Sequence, residues 1–205
     1  MVINKLICVL VGYAFGCLQT AYIFGKLLKG IDIREYGSGN AGTTNAIRVL
    51  GPKIGAVVFI CDALKGVVAY IISYLIFKDF TVALYAGFGA VMGHNFPAQL
   101  GFRGGKGVAT SLGVLLISDI NSGIYILGIA IIIIIFTKYI SLASISCASI
   151  YLVVAYFKHG FGEVFIIYAI LVLLLLYRHR SNIKRLLSGT ENKLSFKSKM
   201  EKIKK

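Results

Sequence analysis

The chain has 205 residues, of which 58% are hydrophobic and only 15% charged, with a mean hydropathy of +0.83 and a formal net charge of +14. Soluble domains average about 45–50% apolar and about 25% charged residues, so this composition excludes an ordinary soluble fold and points to an all-α, polytopic membrane bundle. Nucleic acid is not an expected partner: ten of the 22 Lys/Arg follow Tyr177, beside an apolar run, where a polybasic segment meets anionic lipid.

Apolar segments run over 2–28, 54–77, 82–98, 107–118, 122–137, 140–157 and 162–177, which predicts seven spans in one domain covering 1–193, with a basic cytoplasmic tail at 194–205. The start, MVINKLICVLVGYAFG, has a thin basic end and no small-residue cleavage site, so it reads as a retained span. The fourth and fifth segments are short; a dozen helical residues cover about 18 Å against about 30 Å of hydrocarbon. Crossing or re-entering, that pair returns the chain to the side it left. Cys8, Cys17, Cys61 and Cys147 lie inside apolar runs without a CxxC pair, and neither a metal nor a cofactor is expected.

Three polar islands interrupt the spans: GSGNAGTTNAIRVLGPK at 37–53, GHNFPAQLGFRGGKGVATS at 93–111 and RHRSNIKRLLSGTENK at 178–193. Counting crossings puts all three on one face. That face carries 18 of the Lys/Arg and the opposite one three, Lys5, Lys78 and Lys158, so the island side is expected to be cytoplasmic and the N-terminus outside.

In the first island, glycines among Ser38, Asn40, Thr43, Thr44 and Asn45 can turn consecutive N–H groups into one concavity. Asn45 or Thr44 could cap a short helix with Arg48 on its first turn, where a guanidinium can grip phosphate. In the second, Gly101, Arg103, Gly104, Gly105, Lys106 and Gly107 precede an apolar helical run. This is not a Walker A loop, but free N–H groups at a helix start beside fixed cations attract an anion. In the third, Arg178, Asn182 and Arg185 share a helical face with His179 close by, and Glu191 is a rare acid expected to pair with one of these cations. Ser141 and Ser144, one turn apart, either reach the same pocket or bond back to the preceding turn. Asp62 and Lys65, an intramembrane pair at i, i+3, are expected to neutralise each other inside the bundle. No GxSxG, HExxH or CxxC occurs, and no His is followed by Asp five positions on.

Together, GSGNAGTTNAIRVLG, GHNFPAQLGFRGGKGVATS and RHRSNIKRLLSGTENK, with DALKG at 62–66 and SLASI at 141–145, resemble the bacterial acyl-phosphate:glycerol-3-phosphate acyltransferase family across essentially the whole chain. The resemblance implies a seven-span enzyme of the bacterial cytoplasmic membrane, with its active site on the cytoplasmic side. It would move an acyl group from acyl phosphate to glycerol 3-phosphate, giving lysophosphatidic acid, with a soluble acyl-phosphate-producing enzyme as a candidate partner. It also implies Ser38 and Arg48 in catalysis or substrate binding, the glycine loop with Lys106 at glycerol 3-phosphate, His179 and Asn182 at the reacting centre, and Glu191 as structural support. Read from residues alone, Asn45, Gly101, Gly104, Gly105, Gly107, Ser141, Ser144 and Arg178 join the phosphate-binding candidates. A phosphate or organophosphate transporter is the chief rival, but transport sites usually lie at the midplane between inverted repeats, and no repeat is visible. A scaffold acting through its basic tail is the third reading.

Overall fold

Ten α-helices and two short 3-10 turns, with no strand, make up the described residues, 2–195, in a computed structural model. The helices are α1 (Val2–Gly16), α2 (Thr20–Lys29), α3 (Thr43–Leu50), α4 (Pro52–Phe77), α5 (Phe80–Asn95), α6 (Val108–Ser118), α7 (Ile120–Thr137), α8 (Ile140–His159), α9 (Glu163–Arg178) and α10 (Arg180–Leu187). Most of the predicted tail lies outside the described residues. Its first residue is tied down, with Leu194 N–H donating to Lys138 C=O at 2.7 Å.

Among the described residues, four helical runs are long and apolar enough to cross a membrane: Val2–Lys29, Pro52–Phe77, Ile120–Thr137 and Ile140–His159. A fifth is added if α9 and α10, bent by 58° at His179, count as one. The protein is an integral membrane helical bundle. The fifth segment is longer than its sequence suggests: Asp119 accepts from Ser122 N–H and starts α7 two residues early, giving 18 residues or about 27 Å. The first segment is instead broken at 17–19, where the buried Gln19 amide donates to Gly16 C=O and His94 C=O, both at 3.1 Å.

The bundle is organised around α5, which buries residues on every side, while α1, α4 and α7 turn Leu10, Ile60, Leu75, Ile132 and Phe136 outward. In lipid there is no gain from hiding one apolar face against another, so helices associate where small residues let backbones meet. That is how α1 and α5 pack. A Cβ on Gly12 or Gly16 would sit 1.9 and 2.1 Å from Ala86 C=O and Ala90 C=O, and one on Gly89 or Gly93 would sit 2.2 Å from Val9 C=O and Tyr13 C=O. Two reciprocal Gly-xxx-Gly stripes thus clamp the central helix. Both stripes are plain in the sequence and carry no charge or motif that marks them as contacts.

Because backbone rather than a flexible side chain lies opposite, Gly93→Leu is expected to prevent recovery of monodisperse protein in detergent. Gly128→Leu on α7, where a Cβ meets nothing within 4 Å, should be purified at the normal yield and melting temperature.

Candidate active site

The first island folds around Asn45. Its side-chain NH2 donates to Ile33 C=O at 3.0 Å and Tyr36 C=O at 3.1 Å, while its carbonyl accepts from Ser38 N–H at 2.8 Å. Buried and spent on backbone, Asn45 holds the loop that carries the exposed Ser38. It does not cap α3 as expected: Gly42 occupies the cap position and Arg48 lies in the last turn, not the first.

The second island is a loop laid back over the end of α5. Gly105 N–H donates to His94 C=O at 3.0 Å and Gly104 N–H to Asn95 C=O at 3.3 Å. A Cβ on Gly105 would lie 1.9 Å from His94 Nε2, and one on Gly104 would lie 2.1 Å from His94 C=O. The third island grips the same loop. Arg178 donates to Gly104 C=O at 3.0 Å and to Gly105 C=O at 2.7 and 3.1 Å. A phosphate grip was expected of Arg178; its Nε and one terminal nitrogen serve these carbonyls, and the guanidinium lies over the Phe96 ring at 5.3 Å, so it braces the loop. Gly101, exposed at the outer end of the loop, stands apart from this contact.

The loop so held delivers Lys106 to Asn182, whose carbonyl accepts from the ammonium. The Asn182 NH2 donates to Glu191 at 2.8 Å, and the same carboxylate accepts from Arg185 at 2.7 Å and from the Ser141 hydroxyl at 3.0 Å. Burial pushes Glu191 up, but the bonds from Asn182, Arg185 and Ser141 outweigh it and hold the carboxyl below its usual range. Arg48 is close enough to feel both Glu191 and Arg185. The three islands therefore converge. Ser144 does not join: its hydroxyl donates to Ile140 C=O one turn back at 2.9 Å.

His179 sits buried at the α9–α10 bend with Nδ1 2.9 Å from Leu175 C=O. A carbonyl can only accept, so Nδ1 carries the hydrogen and Nε2 presents a lone pair. Burial, then the Lys106 charge, pulls its pKa down to about 4, which leaves the ring neutral at physiological pH.

Asp62 and Lys65 form a separate cluster. They pair at 2.9 Å, Thr20 donates to Asp62 at 3.0 Å, and Lys65 Nζ lies 2.7 Å from His94 Nδ1. The neutral reading of the pair was incomplete: through His94 it underpins the glycine loop. Sequence reasoning missed His94, because 32 positions separate it from Asp62 and no spacing rule connects them. Among the described residues, no group of three or more His, Cys, Asp and Glu could hold a metal ion.

Beside this rim an apolar cavity of about 390 Å³ runs between α6, α7, α8 and α9, with Val108, Ser111, Ile140 and Ser144 at the rim end. The profile of the family described as glycerol-3-phosphate acyltransferase matches residues 6–189. The chain belongs to that family. It is 46% identical to the glycerol-3-phosphate acyltransferase of Thermoanaerobacter sp. (strain X514), covering 94% of this chain and 96% of the relative. It is 43% identical to that of Clostridioides difficile (strain 630), covering 96% and 98%. Crystal structures of PlsY (YgiH), an integral membrane glycerol 3-phosphate acyltransferase, superpose on it in their glycerol 3-phosphate and lysophosphatidic acid forms. Their TM-scores are 0.85 and 0.83 at 36% identity, covering 93% and 94% of this chain and 96% of each structure. The acyltransferase thus brings its three islands to one shared recess.

Glu191→Leu leaves three donors facing an apolar side chain, at about 1–3 kcal/mol for each buried group left unpaired. Turnover is expected to fall at least tenfold and the melting temperature by several degrees, measured on purified enzyme. Because Glu191 is held below its usual pKa, its contribution is complete at neutral pH and is lost as pH falls through the lowered value. The gap in melting temperature between wild type and variant should therefore close in acid.

Proposed function

We propose that the enzyme transfers a fatty acyl group from acyl phosphate to glycerol 3-phosphate, forming lysophosphatidic acid and phosphate, at the cytoplasmic face of a bacterial membrane. The observation that carries this reading is the meeting of a cationic, hydrogen-bonding rim with the mouth of an apolar cavity. Both substrates are phosphates and one trails an acyl chain. Family membership supports glycerol 3-phosphate as acceptor; the donor rests on the cationic surplus, which suits a second phosphate. The Lys/Arg bias supports the cytoplasmic face and an outer N-terminus, and the order of apolar segments supports seven crossings, of which the fourth, α6, stays short.

Arg48, Lys106 and Arg185 neutralise the two phosphates, which would otherwise repel, with the N–H groups at the start of α6 and Ser38 completing the cradle. Held side by side, the substrates react as if within one molecule, an advantage of roughly 7–11 kcal/mol in well-oriented systems. The glycerol hydroxyl oxygen attacks the acyl carbonyl carbon, the carbon–oxygen bond to phosphate breaks, and phosphate leaves. The hydroxyl proton passes to His179 Nε2, whose lone pair the Leu175 contact leaves available, or to the donor's own phosphate. No acyl-enzyme is needed, because phosphate is already a good leaving group. Asn182 positions Lys106, and Glu191 positions Asn182.

Purified enzyme offered acyl phosphate, acyl-CoA or acyl-carrier protein, each with glycerol 3-phosphate, should yield product from acyl phosphate alone; product from acyl-CoA alone would sink the donor assignment. His179→Ala should lower kcat by about 10²–10⁴-fold, the usual worth of a positioned base. Near-full turnover would remove His179 from that role.

Burial first, then the Arg185 charge, brings Lys106 down to about 8. Its ammonium is therefore present below that pH and lost above it, and kcat/KM for glycerol 3-phosphate should fall as pH rises through about 8. Lys106→Arg, which stays charged, should remove that alkaline limb.

A further inference from the structure

The apolar cavity has a floor. Its lining descends one helix at a time from the cationic rim: Val108 to Leu115 on α6, Ile134 to Ile126 on α7, Ile140 to Tyr151 on α8, and Leu175 to Tyr168 on α9. These steps are seven to eleven residues, about 10–17 Å at the helical rise. Leu115, Ile126, Tyr151 and Tyr168 are the lining residues farthest from the rim on their helices. Two of the four are aromatic, and both are nearly fully buried.

We infer that the Tyr151–Tyr168 pair is the stop against which the acyl chain ends, and so sets the longest chain the enzyme accepts. This rests on the proposal that the cavity holds the acyl group. The rings meet edge to face at 4.9 Å, an arrangement that resists displacement. The Tyr168 hydroxyl lies 2.8 Å from the Ser118 hydroxyl, which itself donates to Val114 C=O at 2.7 Å, so the second ring is anchored to α6. An aliphatic floor would yield by changing rotamer; a ring locked at both ends does not.

Ala155, Ile167, Ala83 and Leu84 are buried in the same cluster as the rings. Beyond Ser118 comes a charged layer in which Lys158 donates to Asp119 at 2.7 Å and to Ser122 at 3.2 Å. A methyl terminus pushed past the tyrosines would meet these buried side chains and then ions.

What Tyr151 supplies at the point where the cavity stops is the bulk of its ring, packed against that of Tyr168.

The test is a series of acyl phosphates of increasing carbon number at fixed glycerol 3-phosphate. Wild-type kcat/KM should drop sharply beyond one length; the absence of any such drop would overturn the inference. Tyr151→Ala should move the drop to longer chains, while KM for glycerol 3-phosphate stays unchanged. Tyr151→Leu reads the same shift if the alanine variant fails to fold, and Tyr151→Phe should leave the drop in place. Ala148→Phe, which fills the cavity one turn nearer the rim, should shorten the preferred chain. If Ala148→Phe changes nothing at any length, the cavity is not the acyl site. If it shortens the preference but neither Tyr151→Ala nor Tyr151→Leu moves the drop, the cavity assignment stands and the stop lies elsewhere.

Discussion

Arg48, Lys106 and Arg185 bring like charges into one half-buried recess, and the Glu191 carboxylate is what makes that tolerable. Two unit charges 4 Å apart interact by about 4 kcal/mol at an effective dielectric near a protein surface, so such a group of cations without an anion would drive itself apart. Glu191 answers with one charge and bonds to Asn182, Arg185 and Ser141, tying α10 to the start of α8. It offsets only part of the positive charge. The surplus is what the proposed site offers to a phosphate.

The rest of the site is a matter of where this recess is held. The glycine loop cannot carry side chains where it crosses His94, since a Cβ on Gly105 would overlap the imidazole. Arg178 draws the loop down from above by its carbonyls, and the Asp62–Lys65–His94 cluster supports it from below. Lys106 is thereby aimed at Asn182 rather than at solvent. Polar groups inside the bundle act here as a foundation for the rim, and the apolar cavity begins where that rim ends.

Much of this was legible in the chain itself. The contrast between apolar runs and three Gly-, Asn- and cation-rich islands pointed to an anion site on one face of a membrane bundle, and the island strings matched the family. Where particular candidates direct their hydrogen bonds was not legible, for a shared reason. Arg178, Asn45 and Ser144 are polar side chains in the right segments, yet each spends its hydrogen bonds on backbone groups. A sequence shows that a side chain can bind phosphate; it does not show which carbonyl or amide reaches it first.

Composition and the order of apolar and polar segments fixed the helical membrane class and the three segments where polar and cationic residues cluster, because those follow from transfer energies and charge counted along the chain. Tertiary structure alone decided that Gly12, Gly16, Gly89 and Gly93 form the clamp on α5, that His94 joins Asp62 and Lys65, and that Tyr151 and Tyr168 line one cavity. These are contacts between residues tens of positions apart, set by backbone approach and shape, and no local pattern records which distant surface will arrive.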